Sequence, residues 1–90
     1  MALLPSLTAM NDYPIKTPPQ LGAVLQGYRR KRGLTQKDVG AKVGMTQKAV
    51  SKIELAPGRT GLRLIFKMLA ALDLELVVRP RGTPGRQPEW

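Results

Sequence analysis

Gln47, Lys48, Ser51 and Lys52 occur at i, i+1, i+4 and i+5, a spacing that puts an amide, two ammonium groups and a hydroxyl on one side of a helix. Their chemistry is recognition by hydrogen bonding: a glutamine pairs with adenine N6 and N7, a lysine donates to guanine O6 and N7, and a serine serves either. None of it is catalytic. The 90-residue chain has no cysteine and no histidine, which removes disulfides, zinc fingers and the commonest general base. No Ser/His/Asp set, paired-carboxylate cleft, metal-ligand cluster or glycine-rich phosphate loop can be assembled. Neither an enzyme nor a bound metal or cofactor is expected.

The stretch that must position these four side chains is LTQKDVGAKVGMTQKAVSKIE, Leu34 to Glu54. Thr35 is placed to cap a first helix with Asp38 in the reciprocal capping-box position, and Gly44 to end it where positive φ is needed. Thr46 then caps a second helix running to about Glu54. Val39, Val43, Met45, Val50 and Ile53 can face a common core, and the small Gly40 inside the first helix lets the second cross it closely. Two helices about a tight turn dock on DNA with the first across the phosphates and the second in the major groove, its N-terminal residues nearest the bases. Gln47 and Lys48 come first on that helix. Gln36, at the start of the preceding one, is expected to hold a phosphate and to brace Gln47.

Charge agrees with such a partner. Fifteen Lys and Arg against six Asp and Glu give a net +9. The excess gathers at Arg29, Arg30, Lys31, Arg32, Lys37, Lys42, Lys48, Lys52 and Arg59, where only Asp38 and Glu54 oppose it. A field of this kind draws polyanions. Arg29 to Arg32 end a helix that should start near Pro18–Pro19 and stop at Gly33, with a core stripe of Leu21, Val24, Leu25 and Tyr28. The cluster offsets the helix dipole, and Arg30 is the residue of the four assigned to a phosphate. Glu54 is expected to pair with Arg59 or Lys52, or to cap local amides.

The motif resembles the helix-turn-helix of phage-repressor-like regulators: Thr-Gln opens the first helix, a small residue lies within it, Gly stands at the turn, and Ser-x-x-Glu closes the second. With TPPQLGAVLQGYRRKRG before it and GRTGLRLIFKMLAALDLELVVRP and a terminal EW after it, the chain from about Pro18 to Val78 resembles more narrowly the antitoxin subunit of HipA/HipB kinase–antitoxin modules. The resemblance implies an all-α domain of four to five helices with one C-terminal β-strand pairing across a dimer. It implies phosphate contacts by Thr35, Gln36, Arg59 and Thr60, a palindromic duplex operator, and a HipA-like serine/threonine kinase toxin that is bound and neutralised while the complex represses its own operon. A stand-alone phage-type repressor is the alternative; a coactivator or RNA-binding module is more remote.

The flanks set three segments: an arm over 1–17 broken by Pro5 and Pro14, the helix-turn-helix and dimerisation domain over 18–78, and a tail over 79–90 rich in proline and glycine. In LAPGRTG, Pro57 and Gly58 make a turn and Thr60 a cap. The helix Leu62 to Leu74 is more apolar than one core face requires; Phe66 is assigned to the core, and part of the remainder to an interface. Glu75, Leu76, Val77 and Val78 then read as a strand with no partner in the chain, so it must pair with a second copy or another protein. Glu89 and Trp90 present an aromatic anchor beside a carboxylate, the kind of element that docks in a partner, here the toxin. No run of 18 apolar residues would span a membrane, and MALLPSL lacks a signal peptide's basic n-region, so a cytoplasmic, nucleoid-associated protein is expected.

Overall fold

Pro18 and Pro19 supply the fixed φ suited to a first helical turn, and Thr17 closes a capping box with Gln20, so α1 runs Pro18–Lys31. The computed structural model describes residues 12–81 of the chain. α1 ends in a Schellman turn: Gly33 has φ of 70°, its N–H donates to the carbonyl of Arg30, and that of Leu34 to the carbonyl of Arg29. Leu34 therefore turns back toward the helix it follows. α2 is Gln36–Val43 with Thr35 and Asp38 in a capping box, and Gly44 ends it at φ of 72°. α3 is Gln47–Leu55 with Thr46 accepting from the Ala49 N–H. A short 3₁₀ turn, Pro57–Arg59, leads to α4, Leu62–Ala71.

These helices meet around Leu25, Val39, Val50, Ile53, Ile65, Met68, Leu69 and Leu72, all buried, with Leu21, Tyr28, Leu34 and Met45 packed against them. α2 packs on α3 and α4, and α1 on α3 and the 3₁₀ turn. Two glycines make this closeness possible. A Cβ on Gly40 would collide with the Met45 carbonyl oxygen where the turn folds over α2, and one on Gly22 would collide with the Glu54 carbonyl oxygen where α1 crosses α3.

Several expectations change. Thr60 is not the cap of the last helix: Gly61 occupies that position without a side-chain bond, and the Thr60 hydroxyl donates instead to the Ala56 carbonyl at 3.2 Å. Phe66 is 47% exposed, not core, because Met68 and Leu69 fill the inward side of α4. α4 also stops at Ala71 rather than Leu74. Asp73 adopts φ of 58°, and a second Schellman pair, Asp73 to Ala70 and Leu74 to Leu69, closes the helix.

The expected strand is not formed: among the described residues the architecture is all-α with no strand. Glu75, Leu76, Val77 and Val78 are exposed and outside regular structure, since a ladder needs a second strand and the described residues supply none. Arg79 reaches Asp12, Nη1 to Oδ2 at 3.4 Å. Glu89, Trp90 and most of the arm lie outside the described residues.

Candidate nucleic-acid interface

α3 turns Val50 and Ile53 inward, which leaves Gln47, Lys48 and Lys52 exposed and Ser51 half-exposed on its outer side. The capping Thr46 fixes where the helix starts, and so fixes Gln47 and Lys48 in its first turn. Beside them, Thr35 and Gln36 open α2. Arg30, Thr35, Gln36, Lys37 and Gln47 line one shallow depression. The structure thus brings Arg30, Thr35 and Gln36, expected at phosphates, next to Gln47, the first residue expected at a base edge. Arg59 and Thr60 stand apart from that depression, on the turn after α3.

The basic cluster at the end of α1 divides its work. Arg29 is buried; Lys31 Nζ and Arg32 Cζ lie over the Tyr28 ring at 5.9 and 5.2 Å, and Tyr13 meets the same ring edge-on at 5.8 Å. Arg30 faces the depression.

Behind this surface runs a chain of hydrogen bonds that begins in the core. Arg29 Nε donates to Glu54 Oε2 at 2.6 Å, Nη2 to Oε1 at 3.2 Å, and Nη1 to the Leu34 carbonyl at 2.9 Å. Gln36 Nε2 donates to Glu54 Oε1 at 3.1 Å, and Gln47 Nε2 to Gln36 Oε1 at 3.4 Å. Glu54 therefore pairs with Arg29, not with Arg59 or Lys52. The signal was present in the sequence: Gly22, Leu25 and Arg29 follow i, i+3, i+7 on α1, and all three are buried. An arginine on a buried face needs a buried anion. Lys37, which lines the depression, was likewise not singled out as a site residue.

The Asp38 carboxyl titrates below its ordinary value. The Thr35 backbone N–H, then the Thr35 hydroxyl, hold it below the usual carboxylate range, with Lys37 and Lys42 adding to the shift. Among the described residues no group of His, Cys, Asp and Glu could hold a metal, and no helix is long and apolar enough to cross a membrane.

A short helix exposed along its outer side, held on a second helix through a glycine turn and bordered by cations, defines a helix-turn-helix DNA-binding protein. The family model described as Helix-turn-helix matches residues 25–78. Antitoxin HipB of Escherichia coli K12 is 30% identical over 87 residues, covering 90% of this chain and 99% of the relative. Antitoxin HipB of Escherichia coli O6:H1 is 32% identical over 87 residues, covering 90% and 93%. Among solved structures, a complex of HipB with an O4 20mer matches with a TM-score of 0.75 at 30% identity, over 78% of this chain and 99% of that one. A HipA-HipB-O2-O3 complex gives the same TM-score and identity over the same shares. The chain belongs to the helix-turn-helix family and, within it, to the HipB antitoxins of toxin–antitoxin systems.

Proposed function

We propose that this antitoxin binds a palindromic operator as a two-fold dimer, represses its own operon, and neutralises a HipA-like serine/threonine kinase. The observation that carries the DNA part is the Gln36–Gln47 contact at the exposed start of α3, which joins a phosphate-side residue to a base-side residue. In this reading Gln47, Lys48, Ser51 and Lys52 address base edges, while Arg30, Thr35, Gln36, Arg59 and Thr60 address phosphates. The working unit is 18–78, with the arm 1–17 and the tail 79–90 outside it.

The dimer is supported by exposed apolar surface on a small domain. Leu62 and Phe66 on α4, and Leu76, Val77 and Val78 after it, are all exposed. Pairing two copies antiparallel through residues 75–78 supplies each with a partner strand that its described residues lack. The kinase is supported by similarity to the HipB chain of a HipA-HipB-O2-O3 complex. Glu89 and Trp90 are the proposed anchor on it, acting in the cytoplasm at the nucleoid.

A pull-down from the native cell, followed by footprinting on the DNA upstream of the gene, tests the whole reading. Co-recovery of a HipA-like kinase with protection of a two-fold symmetric site supports it. Protection without a kinase would make the chain a stand-alone repressor. Deleting Gln87 to Trp90 should weaken kinase binding by calorimetry while leaving operator binding intact; unchanged affinity would move the toxin-contacting surface to the helical body.

A further inference from the structure

Glu54 is nearly inaccessible, its side chain 1% exposed, yet it is two hydrogen bonds away from Gln47, the first residue of α3. A carboxylate paired with a guanidinium offers only acceptors, so whatever meets its free lone pair must donate. Gln36 answers with Nε2 at 3.1 Å. Its amide then has one orientation, Oε1 outward, and Gln47 must present Nε2 to that oxygen. The direction of every bond in the chain is set at its buried end.

The consequence falls on the outer edge of Gln47. Gln47 turns its nitrogen toward α2; with α3 docked in a major groove and α2 on the phosphate side, that orientation would aim its oxygen toward the middle of the groove. An adenine on the adjacent strand presents N7 near its own backbone and N6–H₂ nearer the middle. The amide meets this order with a donor and then an acceptor. Guanine carries an acceptor, O6, where adenine carries N6, and faces the amide oxygen with a repulsive pair. We propose that Glu54 is a positioning residue for sequence recognition, fixing the amide direction of Gln47 through Gln36 and so selecting adenine over guanine. The inference rests on the reading of Gln47 as a base contact.

The experiment selects duplexes from a random-sequence pool with the full-length chain. The selected duplex is then remade with adenine or guanine at each position. In Gln47→Ala one position should lose its adenine preference by roughly tenfold. If none does, Gln47 reads no base, and this inference falls with that reading. At the same position Glu54→Gln, whose amide can donate as well as accept, should reduce the preference by about fivefold, with affinity for non-operator duplex held within about threefold.

Because Glu54→Gln disturbs a buried pair, Gln36→Lys provides a test that leaves Arg29–Glu54 in place. A lysine there still donates to Glu54 and still offers a cation to phosphate, but it gives Gln47 no acceptor. It should lose the adenine preference to a similar extent, read as the ratio of affinities for the adenine and guanine duplexes so that any change in phosphate contact cancels. A role confined to stability would leave that preference unchanged. Preference retained in Gln36→Lys, or in a folded Glu54→Gln, overturns the proposal while Gln47→Ala keeps the base-reading assignment standing.

Discussion

Arg29 and Glu54, 25 residues apart, form a two-bond ion pair between α1 and the end of α3, with side chains 10% and 1% exposed. Both carboxylate oxygens are occupied, and the guanidinium also holds the Leu34 carbonyl at the end of α1. One pair therefore ties α1, its terminal turn and α3 together. Removing either partner strands a buried charge, so Arg29→Ala or Glu54→Ala should cost about 3–5 kcal/mol in urea unfolding, while the double change Arg29→Met/Glu54→Leu should recover most of it. Single variants as stable as the parent would show that the pair is not buried in solution.

The glycines should respond in opposite senses. Gly27 has open space where a Cβ would stand, so Gly27→Ala should stabilise by about 0.5–1 kcal/mol. Gly22→Ala and Gly40→Ala push a methyl into the carbonyls of Glu54 and Met45 and should each destabilise by about 1–3 kcal/mol, despite alanine's better helix propensity. Thermal unfolding of the three variants side by side reads the sign directly.

The local part of this architecture was legible in the sequence because its determinants are local. Thr35 with Asp38, Gly44 and Thr46 each act within a few residues of where they stand, and the helices start and stop where those side chains dictate. Glu54 was harder: Lys52 and Arg59 are nearer in sequence, and only the crossing of α1 over α3 at Gly22 brings Arg29 to it. Phe66 was misassigned for a similar reason. On a helix as apolar as α4, sequence does not say which apolar side faces inward; contact with α2 and α3 does. Gln47, Lys48 and Lys52 were legible as a surface set because the neighbouring inward positions, Val50 and Ile53, are apolar.

Base and phosphate contacts should separate in DNA binding. Gln47→Ala should reduce preference for operator over random duplex, with about 1–3 kcal/mol lost on operator alone. Arg59→Ala should weaken both and lower the salt slope by about 1. Titrations on both DNAs at several salt concentrations distinguish them; equal loss on the two for Gln47→Ala would take it out of the base-reading set.

Dimerisation through residues 75–78 predicts sensitivity to a lost backbone donor. Val77→Pro should weaken self-association in sedimentation without altering the helical content of the domain. A wild-type chain that sediments as a monomer at tens of micromolar would exclude this interface.

The Asp38 cap should show itself in acid. Its carboxyl is depressed in the folded state, chiefly by the Thr35 N–H, so its contribution is fully present above the unfolded value of about 4 and is lost as pH falls through the lower folded value. Stability of the parent minus that of Asp38→Asn should therefore be largest above about pH 5 and shrink steadily below about pH 4. A difference independent of pH would mean that the capping bond does not depend on the charge.

The contact between Arg79 and Asp12 joins positions 67 residues apart in the chain. As an exposed pair it adds little stability, and it sets two positions near the ends of the described residues side by side. In connectivity terms residues 12–79 form a cassette that could be spliced into a surface loop of another protein with short linkers, adding a DNA-addressing module to the host without pulling the loop ends apart.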